Sequence, residues 1–296
     1  MNETDQIKFA NFVLQQQQNL LSAIERNSGY LARQEIEFLI AKCRVDPKRL
    51  EQYGFKVYSQ SDEDGIFQEV FRRLGIKTGV FCEIGVENGL ECNTLFLIHQ
   101  GWRGIWLEGN PQQQQQIESK FSSILKNKRL GLGIGMITPS NINQTIERVF
   151  LPLGIDSNDV DFLSIDVDGM DIYLMQALQF QPKVICIEYN AKFPPPVAKK
   201  PVFDENYRWQ GLGSDYMGSS LTAIAQTANA KDYSLVGTSI VGGNAFFVRN
   251  DLISDHFCRD MSPEALYNPP RYYLYDNHFR LCIGHSADFG PYTDLV

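Results

Sequence analysis

The sequence predicts an α/β fold, an open, mostly parallel, doubly wound sheet of seven strands that ends in an antiparallel hairpin and is preceded by N-terminal helices. Three observations predict it. Short apolar runs at 80–84, 103–107, 162–165 and 184–187 alternate with amphipathic stretches, the pattern of strands joined by crossover helices. The first run closes in a glycine turn, GVFCEIGVENG, ahead of a helical pattern at Leu90, Leu95, Phe96 and Leu97. The last two runs, YSLVG (233–237) and NAFFVR (244–249), are joined across Gly242-Gly243, as a hairpin requires.

Composition sets the bounds. With 296 residues, 43% hydrophobic and 21% charged, the chain supports one sizeable α/β domain and an appendage. The expected division is an N-terminal helical appendage over 1–50, the main domain over 51–250 and a tail or lid over 251–296. A formal charge of −8 and no Lys/Arg block longer than two argue against nucleic acid as partner. The start MNETDQIKF has no basic n-region or apolar h-region, and no apolar run approaches the ~20 residues of a membrane span. Six cysteines without a C-x-x-C pair fit a reducing compartment. A cytoplasmic protein is expected.

Along the chain, Ile7, Phe9, Phe12, Val13, Leu20, Leu21 and Ile24 suggest one helix; Asn27-Ser28-Gly29 breaks it, and Ile36, Leu39, Ile40 and Cys43 start a second. The apolar positions do not sustain three clean heptads, so a cap on the domain is favoured over a long coiled coil, and homo-oligomer contact through these helices or the tail stays open. Ser61 or Asp62 is placed to cap a helix with the apolar face Ile66, Phe67, Val70, Phe71 and Leu74. Pro111 opens a polar helix to Phe121, a third strand is expected around 129–136, and Ser140 is placed to cap the helix after it.

The chemistry concentrates at strand ends, where open α/β sheets bind ligands. A dinucleotide turn reads G-x-G-x-x-G, but two residues before Gly85 stands Glu83, followed by Asn88 and Gly89. An acid there repels pyrophosphate and attracts an amine, which suits S-adenosylmethionine better than NAD. Glu108 ends the second strand 25 residues after Glu83, near the ~20-residue interval at which an acid reaches a ribose diol. The third strand end offers no acid for adenine, leaving backbone near Ile137 and Thr138. Asp166 and Asp168 end the fourth strand, and Glu188 and Asn190 the fifth. These hard oxygen ligands suit Mg²⁺ or Mn²⁺, and no Cys or His pair has zinc spacing. Residues 191–218, rich in Pro, Gly and aromatics, read as a substrate-facing cover in which Trp209, Asp215 and Tyr216 are the candidate substrate contacts.

In order and spacing, EIGVENG, WLEGNP (106–111) and DFLSIDVDG (161–169) resemble the class I S-adenosylmethionine-dependent methyltransferases, closest to the FkbM-like group, over about 58–250. That group usually has Glu where this chain has Asp168. The resemblance implies a Rossmann-like sheet, S-adenosylmethionine as cofactor bound in part by Asp166, and Tyr58, Ser59 and Gln60 near its methionine end. It implies O-methylation of a hydroxyl on a polysaccharide sugar or natural product, and Asp166, Asp168 and Glu188 are the expected catalytic residues, with a divalent cation assisting. Alternatives are a metal-free enzyme with Asp168, His278 or His285 as base, an NAD-dependent oxidoreductase, and a non-catalytic scaffold.

Overall fold

A computed structural model describes residues 3–209, 211, 214–275 and 292–295. Among these lie the strands β1 (Val80–Ile84), β2 (Arg103–Glu108), β3 (Leu130–Ile134), β4 (Phe162–Ile165), β5 (Val184–Glu188), β6 (Lys199–Pro201), β7 (Tyr233–Thr238), β8 (Asn244–Arg249) and β9 (Tyr292–Asp294). Seven of them form one sheet in the order β3-β2-β1-β4-β5-β8-β7, and β8 alone runs against its neighbours. This is the Rossmann-like seven-stranded sheet with the antiparallel terminal hairpin that the sequence predicts. The short strands β6 and β9 pair separately as an antiparallel ribbon, which the sequence analysis does not anticipate.

The near-continuous apolar runs are explained by burial on both faces of the sheet, the usual condition of parallel strands. Alternate residues serve opposite cores. Cys82, Ile84, Ile105, Leu107, Leu163 and Ile165 pack with the helices Ile142–Phe150, Asp171–Ala177 and Leu221–Asn229. Phe81, Trp106, Phe162 and Val184 pack with the helices Glu63–Leu74 and Gln114–Lys120 on the other side.

Several expectations are corrected. The N-terminal segment is one 41-residue helix, Glu3–Cys43, not two. Gly29 faces open space, and a single interior glycine costs only about 1 kcal/mol, which an otherwise helical stretch absorbs. Ala32, Ile36, Leu39 and Ile40 pack it against Ile240, Val241 and Leu274, and the Tyr273 hydroxyl donates to Glu35 (2.6 Å). Neither Ser61 nor Asp62 caps the helix Glu63–Leu74 through its side chain. The Asp62 carboxylate accepts the Ile240 N–H instead (3.0 and 3.2 Å), tying this helix to the turn after β7. Ser140 meets the Thr138 hydroxyl rather than capping, and helix Ile142–Phe150 starts at Asn141, whose side chain accepts from Thr138 N–H. No helix among the described residues is long and apolar enough to cross a membrane.

One glycine fixes how the turns after β1 and β4 meet. Gly85 has φ +87°, and a Cβ there would lie 1.6 Å from the carbonyl oxygen of Asp166. Gly85→Ala should therefore cost on the order of 3 kcal/mol or more, combining left-handed strain with a backbone clash, as read from urea unfolding midpoints.

Candidate functional site

The carboxyl ends of β1, β2, β4 and β5 open into one cavity of about 1230 Å³. Sheet register assembles it. Ile84 pairs with Leu107 and Ile165, and Ile165 pairs with Ile187, so the residues that follow, Gly85, Glu108, Asp166 and Glu188, stand in a row.

At the β1 end, the structure changes the expected role of Glu83. Its Oε1 accepts the Asn93 N–H (2.7 Å), and its Oε2 accepts the Thr94 N–H (3.0 Å) and hydroxyl (2.5 Å). Trp106 Nε1 donates to the same Thr94 hydroxyl (2.7 Å), and Asn93 reaches across to Ser164 (2.9 Å). Glu83 still lines the cavity, but it also organises the turn and occupies the amides ahead of the helix Leu95–His99. That helix begins later than the pattern at Leu90 suggested, so its amino end is held by protein. Burial pushes the Glu83 carboxyl up to about 7 against the pull of these donors. Gly89 does not line the cavity. It lets Trp106 and Phe121 close in, since a Cβ would stand 2.6 Å from the indole. Asn88 likewise folds back, accepting from Leu90 N–H (2.9 Å).

Glu108 is held at the β2 end by Glu87 N–H (2.7 Å) and Asn110 N–H (2.6 Å), one on each oxygen. Burial raises its pKa, and these amides oppose the rise. Each oxygen keeps a lone pair that can accept a hydroxyl from the cavity, as a ribose diol requires. Ile137 and Thr138 both line the cavity at the β3 side, where the Thr138 N–H donates to the Asn141 side chain (2.9 Å). Of Tyr58, Ser59 and Gln60, only Gln60 lines the cavity. Tyr58 stacks on His99 (5.3 Å between ring centres), and Ser59 is buried against Asp64, whose carboxylate gathers the Val57, Tyr58 and Ser59 amides.

Asp166, Asp168 and Glu188 each place a carboxylate oxygen within 4.8 Å of the others. Burial, then the neighbouring acids, raises all three: Asp166 and Glu188 well above the usual range and Asp168 to about 7. Oε2 of Glu188 is buried and meets no donor among the described residues. Asp168 sits at φ +54°, a strained conformation for a non-glycine residue, and it does not cap the following helix. Asp171 holds the loop open instead, accepting from Val167 N–H (2.8 Å) and Gly169 N–H (2.9 Å). Sequence reading missed Asp171. Its signal was an acid at the first helical position just after a glycine turn.

Asn190, Asp215 and Tyr216, the expected ligand and acceptor contacts, do not line the cavity. Asn190 donates to the Asp215 carbonyl (2.8 Å) and accepts from Lys192 N–H (3.1 Å), while the Asp215 carboxylate pairs with Lys192 (2.7 Å). The Tyr216 carbonyl accepts the Tyr207 hydroxyl. The segment does cover the cavity, through Phe203, Glu205, Tyr207, Arg208 and Trp209. An edge of the Tyr207 ring lies against Gly169, where a Cβ would come within 2.6 Å of it, so this segment rests directly on the Asp168 loop. His278 and His285 lie outside the described residues.

No protein-family model and no curated protein matches this chain. Several methyltransferases are among the solved structures similar to it. A Staphylococcus aureus protein assigned as a caffeoyl-CoA O-methyltransferase is 14% identical over 75% of this chain and 99% of its own, with a TM-score of 0.42. The glycopeptide N-methyltransferase MtfA complexed with sinefungin is 11% identical over 66% and 87%, with a TM-score of 0.39. A Galdieria sulphuraria protein assigned as a sarcosine dimethylglycine methyltransferase is 16% identical, over 58% of this chain and 60% of that one, with a TM-score of 0.38. At these TM-scores the likeness carries no argument about chemistry, and the fold rests on the strand order described above.

Proposed function

We propose that this chain is an S-adenosylmethionine-dependent O-methyltransferase acting on a hydroxyl of a sugar or natural product, assisted by a divalent cation. One observation carries the reading: carboxylates from Glu63, Glu83, Glu87, Glu91, Glu108, Asp166, Asp168, Glu188 and Glu205 line the cavity, against two cations, Lys56 and Arg208. A wall so rich in acids suits a sulfonium, an ammonium and a metal ion, each of which would favour the ionised form of the groups that burial keeps protonated, and it opposes a pyrophosphate. Glu87 and Glu91 stand in the β1 turn, where a dinucleotide would lay its phosphates, which disfavours the NAD reading. A scaffold would gain nothing from keeping a strained Asp168 among half-buried acids.

Glu108 would hold the ribose hydroxyls, and Gln60 and Glu83 line the end suited to the amino acid part. S-adenosylmethionine, when bound, supplies a methyl group already activated for transfer. The orphaned Glu188 Oε2 and the all-oxygen donor set of Asp166, Asp168 and Glu188 fit Mg²⁺ or Mn²⁺. A cation there would supply the positive charge that acidifies an acceptor hydroxyl. The aromatic faces of Phe203, Tyr207 and Trp209 would orient a sugar ring and exclude water. A metal-free reading has its own support, because a carboxyl at about 7, as in Asp168, is matched to taking a proton near neutral pH.

Glu108→Ala should weaken S-adenosylhomocysteine binding by on the order of 1 to 3 kcal/mol in calorimetry, the cost of stranding buried hydroxyl partners. Unchanged affinity would remove Glu108 from the cofactor site. Heat with NAD instead would favour the oxidoreductase, and heat with neither the scaffold.

A further inference from the structure

The helix Glu3–Cys43 is docked over only part of its length. Ala32, Ile36, Leu39 and Ile40 lie on the body, whereas Ile7, Leu14, Leu21, Ile24 and Leu31 remain 47% to 63% exposed. Scattered apolar residues on a surface are ordinary, but a continuous row is not. These five form two seven-residue series offset by three, 7-14-21 and 24-31, and Ala10 extends the second series back toward the start. That is the a/d spacing of a coiled-coil seam, interrupted at Gln17 and Ser28. It becomes visible only because the helix runs unbroken through Gly29, which puts Ile24 and Leu31 in one frame. In that frame Ala32 and Leu39 occupy e, Ile36 occupies b and Ile40 occupies f. The body therefore takes a neighbouring face and leaves the seam uncovered.

Two further features say what covers it. From Phe9 to Ile24 there is no charged residue, so identical arms meet without repulsion. The side away from the seam carries Gln15, Gln16, Asn19 and Ser22 beside the exposed Phe9 and Phe12, without the Lys and Arg with which interfacial helices grip lipid, and a net charge of −8 is repelled by an anionic leaflet. Area agrees. At on the order of 100 Å² for a Leu-sized side chain, the seam with Val13, Leu20 and the glutamines between them approaches the roughly 800 Å² per partner of a stable interface. An arm about 40 Å long whose apolar seam is left exposed is also a marginal helix until something covers it.

We propose that the arms of two copies of this chain pair along Ile7, Ala10, Leu14, Leu21, Ile24 and Leu31 as a two-stranded coiled coil, joining two catalytic bodies. Gln17 and Ser28, polar positions within the seam, set its register.

Sedimentation equilibrium of the full chain at micromolar concentration should give a dimer. Leu14→Glu with Leu21→Glu should weaken association by on the order of a hundredfold, because each places a charge in the seam, while binding of S-adenosylhomocysteine by the body stays unchanged. Gln15→Glu, on the opposite face of the same helix, should leave the dimer intact, and Gln17→Leu should tighten it. A monomeric wild-type chain would overturn the proposal, and its flotation with phosphatidylcholine/phosphatidylserine vesicles would do so in favour of a lipid surface. A dimer that persists in the double glutamate variant would overturn it as well, by placing the contact elsewhere.

Discussion

Replacing Asp166 by asparagine should lower methyl transfer by on the order of 10²- to 10⁴-fold while S-adenosylhomocysteine binds within a few-fold of wild type, because the amide keeps the shape and removes the charge. Asp166, Asp168 and Glu188 crowd three carboxylate oxygens within 4.8 Å, and each acid raises the proton affinity of its neighbours. In metal-free buffer the variant should melt higher than wild type, having lost part of that repulsion. Dialysis against EDTA should abolish wild-type turnover, and Mg²⁺ or Mn²⁺ should restore it and raise the melting temperature. In the variant the metal-induced rise should vanish. If wild-type turnover is indifferent to EDTA and no added metal shifts melting, the cation is wrong and Asp168 takes the role of base.

Stability should fall as pH rises from about 5 to about 8.5, and Asp62 should be a main cause. Its carboxyl is almost fully buried, and desolvation, then Glu63, pushes it up to about 8. The folded pKa stands above the unfolded one near 4, so the native state holds a proton that the unfolded chain releases. The stability this proton contributes is complete below the unfolded value and is lost as pH climbs through the folded one. Each such group tilts stability by at most about 1.4 kcal/mol per pH unit, and Glu83, pushed up to about 7, acts in the same direction. Asp62→Asn keeps an acceptor for the Ile240 N–H and should flatten the slope. Urea unfolding across this range checks it, and a slope unchanged in the variant would assign the dependence to other acids.

The strands were legible because burial on both faces leaves little room for polar residues: β4 falls at the expected 162–165 and β5 within one residue of its expected range. The convergence of Asp166 with Glu188 followed from placing the ends of adjacent parallel strands side by side. What each polar group bonds was not legible. Glu83, Asn190 and Asp215 read as ligand contacts, yet they spend hydrogen bonds on nearby loops, since turns at a strand end expose amides whose positions no local pattern records. Gly29 misled because glycine weakens a helix without forbidding it. Gly89 was assigned to the ligand, but its neighbours are Trp106 and Phe121, which come together only through the sheet. The ribbon of β6 with β9 was out of reach, because three-residue strands more than ninety positions apart leave no periodic trace.

That ribbon anchors the segment leading to the cavity-lining residues Phe203 to Trp209 from two separate lengths of chain. Lys199–Pro201 belongs to the cover, where the Tyr173 hydroxyl donates to the Pro201 carbonyl (2.7 Å) and Lys199 exchanges hydrogen bonds with Ser220. Its partner strand, Tyr292–Asp294, comes from a distant part of the sequence and is fastened by the Lys199–Asp294 ion pair (2.6 Å). The cover therefore acts less like a flap on one hinge than like a buckle, whose tongue and clasp come from separate lengths of chain. A fusion placed just after Asp294 would pull on the clasp and, through Lys199–Pro201, on the cavity-lining residues Phe203 to Trp209 that follow.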